Sequence, residues 1–140
     1  MTADVPTVRG PLPTADLGVT LMHEHVFVLS PEIIANYPEG WGDEEAREQA
    51  AVDKLNALKA IGVDTIVDPT VIGLGRYIPR IQRVAERTEL NIVVATGVYT
   101  YNDVPMYFHF SGPGTALDGP EPMVDMFVRD ITEGIAGTGV

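Results

Sequence analysis

The sequence predicts an α/β fold built on a parallel sheet, and three observations carry that reading. Segments of strand character and of helical periodicity alternate along the 140 residues, in the order strand, helix, strand, helix, strand, helix. Strands that alternate with helices are βαβ units, whose strands run parallel. Asn91-Ile-Val-Val-Ala-Thr96 is almost uniformly apolar, as expected of a parallel strand covered on both faces. Two strands open on one phrase, Leu17-Gly-Val-Thr and Ile61-Gly-Val-Asp, and Thr138-Gly-Val140 repeats its core. That repeat announces a fourth strand, and the expectation is that the 140 residues are part of a longer chain.

The elements follow in order. Val5-Pro-Thr-Val-Arg-Gly-Pro-Leu-Pro13 reads as a hairpin or cap rather than a core strand, because its three prolines remove ladder donors. Gly18-Val-Thr-Leu-Met-His-Glu-His-Val-Phe-Val28 reads as the first strand of the sheet. Residues 30–42, rich in Pro, Gly and Asn, read as a long loop with one helical turn near Pro31. Asp43-Glu-Glu-Ala opens a helix with acidic residues in its first turn, where the helix dipole favours them. Ala51, Leu55, Leu58 and Ile61 recur at helical spacing, and Gly62 supplies the stop.

Val63-Asp-Thr-Ile-Val-Asp68 is the second strand, ended by Pro69. Gly73-Leu-Gly-Arg76 leads into a helix from Tyr77 to about Arg87, with Ile81, Val84 and Ala85 on one side. After the strand at 91–96, residues 100–122 read as a loop too long to be an idle connection. The last helix starts near Pro122 with Met123, Phe127, Ile131 and Ile135 as its apolar stripe.

Composition narrows the class of partner. Nine Lys and Arg against twenty Asp and Glu give a formal charge of −11, which argues against nucleic acid or an anionic membrane surface. The chain has no Cys, hence no disulfide framework and no thiolate metal site, in keeping with a reducing, cytoplasmic setting. Met1-Thr-Ala-Asp-Val-Pro-Thr7 lacks the basic and apolar blocks of a secretory leader. No apolar run approaches the roughly 18–20 residues of a membrane helix.

His23 and His25 carry the chemistry. Two apart on a strand, they project from one face while Glu24 projects from the other. At the C-terminal end of a parallel strand, where α/β barrels collect active sites, two imidazoles can share a metal ion. Such an ion brings the pKa of bound water down to about 7. The spacing alone fits equally two hydrogen-bonded structural histidines.

The surrounding phrase decides more than the spacing does. Gly18-x-Thr20-Leu21-x-His23-Glu24-His25-Val26 resembles the opening signature of the phosphotriesterase family of the amidohydrolase superfamily. The resemblance continues through Thr7-Val-Arg-Gly-Pro11, Thr65-Ile-Val-Asp68, Gly75-Arg76 and Ala95-Thr-Gly-Val-Tyr99, covering essentially the whole chain. It implies a (β/α)8 TIM barrel that needs about 250 residues to close. Residues 1–17 would be its N-terminal hairpin or cap and residues 18–140 its first three βα units, truncated at the start of the fourth strand.

The resemblance also implies a centre of two divalent metal ions, zinc first and cobalt, manganese or iron as alternatives. His23 and His25 would ligate the more buried ion. A carboxylated lysine of the fourth strand, histidines of the fifth and sixth and an aspartate of the eighth would complete the set, and none of those strands lies in this sequence. A hydroxide bridging the ions would attack a phosphorus or carbonyl centre. Tyr99 stands where the lactonase-like branch carries tyrosine and dedicated phosphotriesterases carry tryptophan, which implies a phenol against a lactone ring. The expected substrates are therefore acyl-homoserine or related lactones, with promiscuous organophosphate triester hydrolysis, in a homodimer. A dedicated phosphotriesterase, a carboxylesterase or amidohydrolase of the same superfamily, or an inactive half-barrel fragment or assembly module, stands as the alternative.

Other candidates read as structural. Gly73-x-Gly75-Arg76 lacks the Lys-Ser/Thr of a phosphate-binding loop, so a turn with a positioned arginine is expected. Asp68 is expected to fix local backbone, His109 to be an exposed loop histidine, and Glu24 to face the helices. Tyr99 would equally serve as a packing aromatic.

Overall fold

Strands β3 (Thr20–Leu21), β4 (Thr65–Asp68) and β5 (Asn91–Val94) pair in parallel in the order β3-β4-β5. They belong to a computed structural model that describes residues 3–140. Residues 1 and 2 of the expected N-terminal cap lie outside the described residues. Around the sheet run the hairpin β1 (Asp4–Thr7) and β2 (Gly10–Pro13) and helices α1 (Pro31–Asn36), α2 (Glu44–Ala60), α3 (Ile78–Ala85), α4 (Met106–Phe110) and α5 (Pro122–Glu133). The parallel sheet predicted from the alternation is present. Among the described residues no helix is long and apolar enough to cross a membrane.

Helices α2 and α3 cover the sheet. Ala51, Val52 and Leu55 of α2 and Ile81, Val84 and Ala85 of α3 form one core with Ile66, Leu90 and Ile92. Ile66, Val84, Leu90 and Ile92 are at most 2% exposed. Each contributes roughly 1.5–3 kcal/mol of hydrophobic stabilisation. Helix α2 begins where Asp43 accepts a hydrogen bond from the Ala46 amide at 2.8 Å, and Glu44 and Glu45 sit at the positive end of its dipole. Glu48, buried between the helices, takes the Arg83 guanidinium at 2.9 Å through Nε. Arg80 Nε donates to Glu44 at 2.6 Å.

The hairpin forms as expected and covers a vulnerable edge. Regular pairing of β5 with β4 through Asn91 and Val93 turns the Ile92 carbonyl to the free side of β5. There it accepts the Val8 amide at 2.9 Å. Arg9 then caps the end of α3, donating to the Ala85 and Glu89 carbonyls at 2.9 and 3.1 Å, to the Thr88 carbonyl and to Asn91 Oδ1 at 3.1 Å.

Several expectations are corrected. The strand expected over 18–28 pairs only at Thr20 and Leu21. With Leu21 opposite Ile66, unbroken pairing would send the amide of residue 23 to Val67. The Glu24 amide makes that bond instead, at 3.0 Å, so one extra residue bulges out and the ladder ends. Glu24 is exposed. The loop expected over 30–42 holds α1, started by Pro31 at its first position, and a 3-10 turn at Pro38–Gly40. The loop expected over 100–122 holds α4.

Two apolar stripes also shift. Ile61 is 78% exposed because it caps the C-terminus of α2 instead of continuing its stripe. Ile131 is 75% exposed, and α5 buries Asp130 beside it. Strand β5 buries Ile92, and its other residues are partly buried, Val94 against the same core. The Thr138-Gly-Val140 phrase forms no strand: Ile135–Gly137 makes a 3-10 turn, and the Val140 carbonyl accepts the Ile135 amide at 2.8 Å.

Candidate metal centre

Parallel pairing sends the chain out of β3, β4 and β5 at one end of the sheet, and the candidate residues collect on those exits. His23 and His25 follow β3, Asp68 ends β4 with Thr70 just beyond it, and Tyr99 follows β5. The bulge after Leu21 does not separate the histidines. Their ring centroids lie 5.1 Å apart with the planes at 81°, so the two imidazoles share one space, as the His-x-His spacing predicts.

The exit from β3 is tied to the exit from β4. Asp68, 1% exposed, accepts the Thr70 amide at 2.9 Å through Oδ1 and the Val26 amide at 3.3 Å through Oδ2. It therefore fixes local backbone, as expected. Further along, the Leu29 amide donates to the Leu74 carbonyl at 3.1 Å. Gly75 permits this approach: its φ is +85°, and a Cβ there would lie 2.5 Å from the Leu29 carbonyl oxygen. Phe27 packs edge-on against Trp41 at 5.7 Å, with the Arg80 guanidinium 4.8 Å from the Trp41 ring.

His25 is anchored by a neighbour that the sequence reading did not single out. Its Nδ1 lies 2.8 Å from Thr70 Oγ1 and 3.7 Å from Asp68 Oδ1, so the hydroxyl stands between ring and carboxylate. The Thr70 hydroxyl in turn bonds Asp68 Oδ1. A threonine two residues after an aspartate is the local pattern of a side-chain-closed turn, and that was the available signal. Among the described residues His23 has no side-chain hydrogen bond, and its ring is exposed.

Tyr99 is placed by the loops after β4 and β5. The isolated bridge of Ile72 with Val98 continues the parallel pairing, and the Tyr99 amide donates to the Ile72 carbonyl at 2.8 Å. The ring is 42% exposed and stacks on Tyr101 at 6.4 Å.

The remaining candidates are structural, as expected. Arg76 is no phosphate cradle: its buried guanidinium bonds Asp130 Oδ2 at 3.1 Å and approaches the Ala95 carbonyl at 3.5 Å. Asp130 also accepts the Thr96 hydroxyl at 2.6 Å and the Ala136 amide at 2.9 Å. Burial opposes its charge, but the Ala136 amide, the Thr96 hydroxyl and Arg76 outweigh that and hold the carboxyl below the usual aspartate range. His109 is half-exposed and pairs with exposed Asp103 at 3.1 Å.

The donor set fits part of a metal site. Two imidazoles share one space, and the ring nitrogen of His25 remote from Thr70 is left for a ligand. Among the described residues no group of three or more His, Cys, Asp or Glu could hold an ion.

The sequence profile of the Phosphotriesterase family matches residues 3–140. The chain belongs to the phosphotriesterase family. A "Phosphotriesterase homology protein" of Mycobacterium tuberculosis (strain H37Rv) is 72% identical over 134 residues, covering 96% of this chain and 41% of that protein. An "Aryldialkylphosphatase" of Saccharolobus solfataricus is 42% identical over 124 residues, covering 88% of this chain and 37% of that one. The solved structure of the phosphotriesterase from Mycobacterium tuberculosis superposes with a TM-score of 0.91 at 70% identity, over 99% of this chain and 43% of that chain. The chain thus spans less than half the length of each relative. The phosphotriesterase family generally depends on a binuclear metal centre, and its fold is a TIM barrel.

Proposed function

We propose that this chain is the first three βα units of a phosphotriesterase-family hydrolase whose barrel is completed by later strands. The observation that carries the reading is the convergence of His23 and His25 at the C-terminal end of a parallel sheet. In that enzyme the two histidines hold one of two divalent ions, zinc first among the candidates. When bound, such ions supply Lewis-acid activation of water and of the oxygen under attack. His25 contributes an imidazole whose orientation is set by Thr70, and Asp68 holds together the two backbone exits that carry them.

The preferred substrates are acyl-homoserine or related lactones, with organophosphate triesters as promiscuous ones. Tyr99 supports this choice: its half-exposed phenol stands at the same sheet end as the histidines and can lie along a lactone ring. The names of the relatives favour a second reading, a dedicated phosphotriesterase, since one of them is called an aryldialkylphosphatase. Kinetics of the full-length protein separate the two. A kcat/KM for an acyl-homoserine lactone above that for paraoxon is expected, and a phosphotriester preferred over every lactone would overturn the lactonase reading.

With two ligands of a larger set, the 140-residue chain alone is read as inactive. The acidic, cysteine-free composition supports a cytoplasmic parent acting on small molecules. Its homodimeric state rests on the family resemblance.

A further inference from the structure

The groups around His25 leave its ring a single tautomer. Thr70 is 7% exposed, and its hydroxyl has one proton to give. Besides the ring, two oxygens face that hydroxyl: the Asp68 carboxylate and, at 3.4 Å, the Phe27 carbonyl. Both only accept. The proton goes to Asp68, the closer and charged acceptor. Toward His25 the hydroxyl oxygen is then an acceptor, so in the neutral ring Nδ1 carries the proton and Nε2 keeps its lone pair.

We propose that Thr70 is a positioning residue of the metal centre, whose hydroxyl, aimed by Asp68, holds His25 as the Nδ1–H tautomer and presents Nε2 to the ion. The inference rests on the reading of His23 and His25 as metal ligands. Two features give it content beyond packing. Asp68 itself is 3.7 Å from Nδ1, too far to hold the ring directly, so the orientation depends on the interposed hydroxyl. The same carboxylate accepts the Val26 amide, so ring and adjacent backbone are referred to one buried group. Outer partners of this kind are worth about 10- to 100-fold in metal affinity.

The test uses the full-length protein. Zinc affinity by chelator competition is expected to fall about 10- to 100-fold in Thr70→Val and to return to within a few-fold of wild type in Thr70→Ser. In the metal-free wild type, ¹⁵N NMR of the His25 ring, assigned by its loss in His25→Gln, should show a protonated Nδ1 and an unprotonated Nε2. This second readout is taken on the wild type and does not depend on a Thr70 variant. Wild-type affinity in Thr70→Val, or an Nε2–H tautomer in the wild type, would overturn the proposal while leaving the histidines as ligands. A wild type that binds no zinc would overturn the metal reading and the role of Thr70 with it.

Discussion

Asp130 shows how one buried carboxylate organises the loops beside the site. Truncating it as Asp130→Ala leaves the Arg76 guanidinium buried without its partner, which costs about 3–5 kcal/mol. Its pH dependence has a definite sign. The folded carboxyl titrates below the ordinary value of 3.8, so its stabilisation is complete above that value and is lost as the pH falls through the folded pKa. Urea unfolding of wild type and Asp130→Asn should therefore show a stability gap at neutral pH that narrows below about pH 4. A gap that stays constant on acidification would contradict the assignment. At this scale the sequence displayed His23, His25 and Tyr99 openly, because a spacing of two and a family phrase mark them. Thr70 and Asp130 were hidden, since their roles arise from contacts with residues 45 and 54 positions away.

Elements that carry their own start and stop signals were readable, and those decided by neighbours were not. Helix α2 announces itself with Asp43 and the two glutamates behind it. Asp43→Ala removes the bond to the Ala46 amide and should cost about 1 kcal/mol, measured as a shift in the denaturation midpoint at unchanged m-value. Strand β4 was equally plain, because Val63, Thr65, Ile66 and Val67 are β-branched and the run is short and bounded by Gly62 and Pro69. Strand β3 was overestimated: nothing in its composition shows the extra residue that ends its pairing after Leu21. Ile131 failed for a related reason, since α5 turns its buried side toward Arg76, a partner of opposite charge, and not toward an apolar face. The hairpin β1–β2 depends on Arg9 for its seat on α3. Arg9→Met should speed hydrogen exchange at Val8 and across the hairpin while α2 keeps its protection. Uniform protection in the variant would show that the arginine is dispensable.

Seen whole, the molecule is a three-stranded parallel sheet with two helices over it and its candidate ligands at one end. That arrangement is legible because βα alternation fixes strand direction, and strand direction fixes the end to which the loops go. A complete metal set is not legible, because no group of three or more His, Cys, Asp or Glu that could hold an ion occurs among the described residues. The metal assignment stands or falls with His23 and His25. Metal content of the purified full-length protein, measured beside His23→Ala/His25→Ala, tests it most directly. The wild type should retain divalent ions through gel filtration, and the double variant should lose the ion held by the pair, with hydrolysis falling to background. A folded double variant that keeps the wild-type metal content and rate would contradict the account.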